Sequence, residues 1–115
     1  VATELIHAGH HNVNGFLLLA DGVVMTDASA ITRMVLTLTP ASGSDDVVVD
    51  SDINAAAFNW SGTTAYKGAM VALLVLALGL LAIAKGRYQG TLVIYSIDYP
   101  NGLVWATGID FRVIS

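Results

Sequence analysis

The chain has 115 residues, enough for one domain with a core of its own. Hydrophobic residues make up 55% of it and charged ones 12%, against about 25% in ordinary soluble domains, so much of the surface is expected to face lipid or other protein. Nine acids against five scattered bases give a net charge of −4, which excludes a phosphate-neutralising nucleic-acid binder, and the absence of cysteine excludes disulfides and thiolate metal sites.

Val1 to Asn14 (VATELIHAGHHNVN) reads as a short strand or arm, and residues 1–14 are assigned to an N-terminal arm preceding a domain over 15–115. The segment lacks the charged start and apolar centre of a secretory signal. Leu5 and Ile6 are an adjacent apolar pair in it and are candidates for anchoring the arm to a neighbouring protein. His7, His10 and His11 share one face if the segment is helical, a grouping that can bind zinc or nickel. Gly9 argues against the helix and no acidic ligand stands at motif spacing, so they read as exposed polar residues, and no metal is assigned.

Phe16 to Thr26 reads as two short strands around Ala20-Asp21-Gly22, since Asp-Gly is a preferred hairpin pair. Asp27 to Ala30 is a polar connection. Ile31 to Thr39 is the clearest half-buried strand: Met34, Leu36 and Leu38 alternate with Arg33, Val35, Thr37 and Thr39. Pro40 ends it, having no N–H to donate. Ala41 to Asp46 is a loop, and Val47 to Val49 a short strand. Asp45, Asp46, Asp50 and Asp52 have the wrong spacing for a calcium loop and read as solvated strand ends.

Phe58 and Trp60 alternate, so on a strand both face one side, as core area or, at an exposed edge, as contact anchors. Asn59-Trp60-Ser61 fits the glycosylation acceptor, a pattern too short and frequent to carry weight. Gly62 to Gly68 reads as a linker. Ala69 to Ala84 is uncharged, with Lys67 and Lys85 at its ends, and periodicity alone cannot separate a membrane helix from a buried strand there. The run is short of the ~20 residues a bilayer span needs, and the sequence after it has the form of a strand corner. Gly86 permits a backbone that side-chain-bearing residues resist, and Tyr88 opens the next strand, with its ring inward and its hydroxyl free to bond an upstream backbone group. That strand runs to Asp98. Tyr99-Pro100-Asn101-Gly102 is a turn, Leu103 to Thr107 the returning strand, and Phe111 to Ser115 a last strand after an interruption at Gly108 and Asp110. About seven to nine strands at fairly regular spacing make the fold class all-β.

No phosphate loop, nucleophile elbow or zinc-protease pair is present, and the three histidines lie within the first 11 residues. The expected protein is therefore not an enzyme, with no catalytic residues and no cofactor. The order Ile83, Gly86, Tyr88 resembles the tyrosine corner of immunoglobulin-like β-sandwiches. It departs from antibody domains at Gly90, where those carry cysteine, and in lacking a tryptophan near Thr32 to Thr39.

Beyond the corner, Thr32-Arg33-Met34-Val35-Leu36, Val49-Asp50-Ser51, Ala57-Phe58-Asn59-Trp60, Gly86-Arg87-Tyr88 and Asn101-Gly102-Leu103-Val104-Trp105 fall in an order that resembles small virion proteins of tailed bacteriophages and prophages. The resemblance implies a structural virion subunit. The foremost expectation is a minor capsid or decoration protein on the capsid surface, made in the host cytoplasm and binding other virion proteins, the major capsid protein first. It is expected to be a homo-oligomer with no nucleic-acid or membrane partner. Trp60 and Trp105 join Leu5 and Ile6 as protein-contact candidates. The alternatives are a tail or head–tail joining subunit, a host-surface or carbohydrate adhesin using Trp60 or Trp105, and a small membrane protein built on Ala69 to Ala84. On the arm reading, deleting Val1 to Asn14 leaves the domain folded and weakens attachment.

Overall fold

The computed structural model describes residues 3–20, 23–24 and 30–114. Within them the regular structure is all β except for one turn of 3-10 helix at Ala55–Ala57. In chain order the strands are β1 (Glu4–His7), β2 (Asn14–Leu17), β3 (Leu19–Ala20), β4 (Val23–Val24), β5 (Ile31–Pro40), β6 (Val47–Asp50), β7 (Phe58–Tyr66), β8 (Ala69–Leu76), β9 (Gly86–Ser96) and β10 (Leu103–Ile114). They form a five-stranded sheet ordered β1-β10-β9-β5-β6, a three-stranded sheet ordered β2-β8-β7, and a β3–β4 hairpin. All pairings are antiparallel except β1 with β10, which is parallel.

The two sheets share one core. Alternation on β5 turns Met34, Leu36 and Leu38 inward, and register sets Leu36 between Leu92 of β9 and Val49 of β6. From the other sheet, Ala72, Leu74 and Leu76 of β8 and Phe58 of β7 reach the same cluster. As the middle strand of its sheet, β8 can be apolar on both sides: Leu73 and Val75, on the face away from the core, are still half-buried. No helix among the described residues is long and apolar enough to cross a membrane.

Three segments differ from the sequence reading, and the turn of an expected hairpin lies outside the described residues. The supposed linker Gly62 to Gly68 belongs mostly to β7, which runs to Tyr66 and turns into β8 through Lys67 and Gly68 at φ 49° and 82°. Both turn residues are left-handed, as a two-residue hairpin matched to strand twist requires. The two expected C-terminal strands are one, β10, whose register shifts between Val104 and Ala106 and again before Ile109; the interruption at Gly108 is a bulged stretch and not a strand end. Asp21 and Gly22 of the expected hairpin turn lie outside the described residues, although Leu19 pairs with Val24 and Ala20 with Val23 on either side.

The third difference is the arm. Residues 4–7 are a sheet strand, with Glu4 to His7 paired in register to Phe111 to Ile114. Ile6 is 1% exposed and sits in the core, so it is not a contact residue for a neighbour. Asn12 and Asn14 tie β1 to the start of β2: both side-chain amides donate to the Leu5 carbonyl, at 3.0 and 3.2 Å, and Asn14 also donates to Glu4. Removal of Val1 to Asn14 therefore takes away core and sheet, not a dispensable tail.

The connection from β8 to β9 buries Leu78 and Ile83 and ends at Gly86, whose φ of 146° suits glycine. Tyr88 comes next but one, 5% exposed, and its hydroxyl donates to the Ala84 carbonyl at 2.6 Å. Two residues on, Gly90 leaves room for the fully buried Phe111 ring of β10; a Cβ there would meet that ring at 2.5 Å.

Two substitutions test these contacts by chemical denaturation. Ile6→Ala is expected to cost about 2–5 kcal/mol, the range for truncating a core side chain; a midpoint equal to wild type would return residues 4–7 to an arm. Tyr88→Phe removes a donor and is expected to cost about 1–3 kcal/mol with an unchanged slope.

Candidate interaction surface

Because inward and outward residues alternate on a strand, the pattern that fills the core also fixes the opposite face of the five-stranded sheet. On that face β5 presents Arg33, Val35 and Thr37, the neighbours in sequence of the buried Met34, Leu36 and Leu38. Register extends these into rows across the sheet. Val35 lies between Asp50 of β6 and Val93 of β9, and Val93 in turn pairs with Val104 of β10. The next row is Val48, Thr37, Thr91. Val48 and Val104 are 60% and 57% exposed. The middle of the face is thus β-branched and uncharged.

Its one organised polar group stands at the edge of this region. The Arg33 guanidinium donates through Nε to Asp50 Oδ1 at 3.0 Å and through its terminal nitrogen to Asp50 Oδ2, a bidentate pair. Asp52 approaches Arg33 Nε at 3.3 Å, and the guanidinium lies 4.9 Å from the ring centroid of Tyr95 on the neighbouring strand. The Asp52 N–H donates to Asp50 Oδ1, and the Met34 N–H to Ser51 Oγ, both at 3.0 Å. This group closes the end of the β5–β6 ladder, beyond the last strand pair. Arg33, held first by the Asp50 hydrogen bond, stays protonated more firmly than an ordinary arginine. The Asp50 carboxyl falls from 3.8 to about 2, chiefly through the Arg33 hydrogen bond and next through the Asp52 N–H.

The sequence reading of the four aspartates holds differently for each. Asp45, Asp46 and Asp52 are exposed, but Asp50 is buried and ion-paired, not a solvated strand end. The signal for this was parity: Arg33 lies on the outer face of an alternating strand, so any acid on the same face of a pairing strand is within its reach. The pairing register itself was missing.

The contact candidates do not converge. Leu5 is 43% exposed and lies beside Arg112 on the outer face of the sheet. Trp60 and Trp105 are half-buried and pack against the core. His7, His10 and His11 are exposed, and none of their imidazoles makes a hydrogen bond or ion pair among the described residues. No group of three or more histidines and acids able to hold a metal occurs among those residues. A pocket of about 250 Å³ lies between the β1–β2 loop and the 3-10 turn, lined by His11, Asn12, Asn54, Ala57, Ala77 and Leu81. It is smaller than the roughly 300–1,000 Å³ of small-molecule sites, and the Asn12 amide is already committed to Leu5 and Asn14.

In comparisons with protein-family models, curated proteins and solved structures, the chain matches none.

The ion pair carries a pH signature. Asp50 titrates lower in the folded chain than in the unfolded one, so its contribution is complete above 3.8 and is lost as pH falls from there through about 2. Asp50→Asn should melt below wild type at neutral pH, and the gap between the two should close over that acid window. A gap unchanged down to pH 2 would mean that the carboxylate is not held by Arg33.

Proposed function

We propose that the chain is a non-enzymatic structural subunit of a virion, a minor capsid or decoration protein that binds and stabilises the assembled capsid. Its framework in this reading is an immunoglobulin-like sandwich. Strand order supports that framework: β10, β9, β5 and β6 run in the order of the G, F, C and C′ strands, and β2, β8 and β7 in that of B, E and D. The Tyr88 bond at the start of β9 stands where the tyrosine corner does. The departure at Gly90 is filled from the side, since the Phe111 ring takes the space.

The observation that carries the assembly reading is the outward face of the five-stranded sheet. Its centre is apolar and uncharged, with Val48 and Val104 more than half exposed, in a chain only 12% charged. A free monomer gains nothing by presenting such a face to water, whereas a subunit covered by neighbours does. The virion setting itself comes from the sequence resemblance. Binding only the assembled shell stabilises it by mass action.

Co-sedimentation of the purified full-length chain with capsids and with isolated tails tests the proposal. Saturable binding to capsids, with a raised capsid melting temperature, is the expected result. Binding confined to tails would move the chain to the tail or head–tail joint. A chain that stays in the supernatant with both is not a virion subunit, and a glycan array then tests the adhesin reading of Trp60 and Trp105.

A further inference from the structure

One end of the outward face of the five-stranded sheet gathers cations on one side and acids on the other. Among the described residues, the one acid on the cations' side, Asp110, stands one register row further along β10 and accepts a hydrogen bond from Thr3. Arg87 on β9 and Arg112 on β10 are direct cross-strand partners, both exposed, and Lys85 stands just before β9. On the other side of the same end, the β5–β6 loop carries exposed Asp45 and Asp46. The loop leaves the sheet beside the start of β9: Pro40 pairs with Tyr88, and the Ala41 N–H donates to the Arg87 carbonyl at 2.9 Å. None of these five charges makes an ion pair among the described residues. Like charges set directly opposite on neighbouring strands are destabilising unless something neutralises them. The arginine pair therefore favours an anionic partner, and the aspartate pair a cationic one.

We propose that this face is the interface of a twofold homodimer, with the Arg87–Arg112 pair of one copy opposite the Asp45–Asp46 loop of the other. The inference deepens the assembly reading by naming one partner as a second copy of the chain. In the order β1-β10-β9-β5-β6, a twofold axis along the strands between β9 and β5 lays β9 on the mate's β5 and β10 on the mate's β6. The cationic corner then meets the acidic corner twice, once from each copy, as an isologous contact requires. The Val35–Val93 pair sits at the axis. Val104 on β10 and Val48 on β6, two exposed apolar residues of the face, turn toward the mate's β6 and β10 and leave water together.

Size sets how tight the dimer is. Four strands about 4.8 Å apart and about eight residues long at ~3.4 Å each cover roughly 500 Å². That is below the ~800 Å² per partner of a standard interface, so dissociation is expected on the order of micromolar or weaker, with a clear salt dependence.

The test is sedimentation equilibrium of the isolated chain from micromolar to roughly millimolar concentration, at about 0.05 and about 0.5 M salt. A concentration-dependent dimer that weakens several-fold at the higher salt is expected. Arg87→Glu with Arg112→Glu should weaken it about tenfold or more, and Asp45→Lys with Asp46→Lys likewise, because each opposes like charges across the contact. Mixing the two variants should restore association as a heterodimer: the new glutamates meet the new lysines, and the native arginines meet the native aspartates. All four positions are exposed, and circular dichroism checks that each variant is folded. Val93→Thr, an uncharged change at the axis, should weaken the dimer without changing its salt dependence.

A chain monomeric at every concentration overturns the proposal, and so does a dimer indifferent to the swaps, or swapped variants that fail to pair with each other. No particle is present in these measurements. A failure here leaves capsid binding standing, and a failure of capsid binding leaves the dimer standing.

Discussion

The inward placement of Tyr88, held by the hydrogen bond from its hydroxyl to the Ala84 carbonyl, sets which side of β9 faces the core, and the register of the five-stranded sheet is built on that side. β9 is bonded along both edges, to β10 and to β5, and is the only strand with two strands on either side of it in the sheet order. With Tyr88 inward, Gly90, Leu92 and Ile94 are inward too, and Arg87, Gln89, Thr91 and Val93 are outward. A slip by one residue would exchange the two sets and bury an arginine and a glutamine in the core. The Gly90–Phe111 approach guards the same register from the β10 side, because Phe111 pairs with Tyr88 and its ring lies diagonally across a residue with no side chain.

The legible parts of this architecture were those whose pattern is local. Arg33 to Thr39 alternates because one side of β5 is in the core and the other is half-exposed, so its state shows in seven consecutive residues. The corner at Gly86 and Tyr88 was legible because a positive φ and a short-range hydroxyl bond leave a signature within a few positions. Ala69 to Leu76 was ambiguous for a physical reason: a middle strand covered on both faces has no polar side, and only the corner after it decided between strand and helix.

The illegible parts depend on partners distant in sequence. Four residues such as Glu4 to His7 are too few for a period, and their pairing is with the last strand of the chain. β10 loses its alternation at its bulges, so one strand reads as two. Lys67 in a left-handed turn position is not a residue that announces a hairpin, which hid the end of β7. The Arg33–Asp50 pair needs the β5–β6 register before it can be seen, and so does the Arg87–Arg112 pair across β9 and β10. Strand pairing is thus the information that turns a sequence of scattered charges into a surface with sorted ones.

Sharing strands between core and surface has a consequence for how the protein assembles. On β1, Ile6 is in the core while Leu5 lies beside Arg112 on the outer face. On β5, β6 and β9 the same alternation puts core residues next to Val35, Val48 and Val93. Stability and, on the dimer proposed, association are therefore carried by interleaved residues of the same elements, not by a domain and a separate arm. Removing a segment changes both at once, and its effect on attachment reports nothing specific. Exchanging single outward side chains leaves the inward set untouched, because neighbours along a strand point to opposite faces. The few charges of the chain divide in the same way. Arg33, Asp50 and Asp52 close the β5–β6 ladder, whereas Lys85, Arg87, Arg112, Asp45 and Asp46 have no such use within the described structure. In the dimer proposed, for a chain so poor in charge, unpaired cations and acids at one end of an apolar face give the contact an orientation as well as an affinity. An uncharged sheet can be covered by any apolar surface in several registers; one with sorted charges at a single end favours the partner and the rotation that neutralise them.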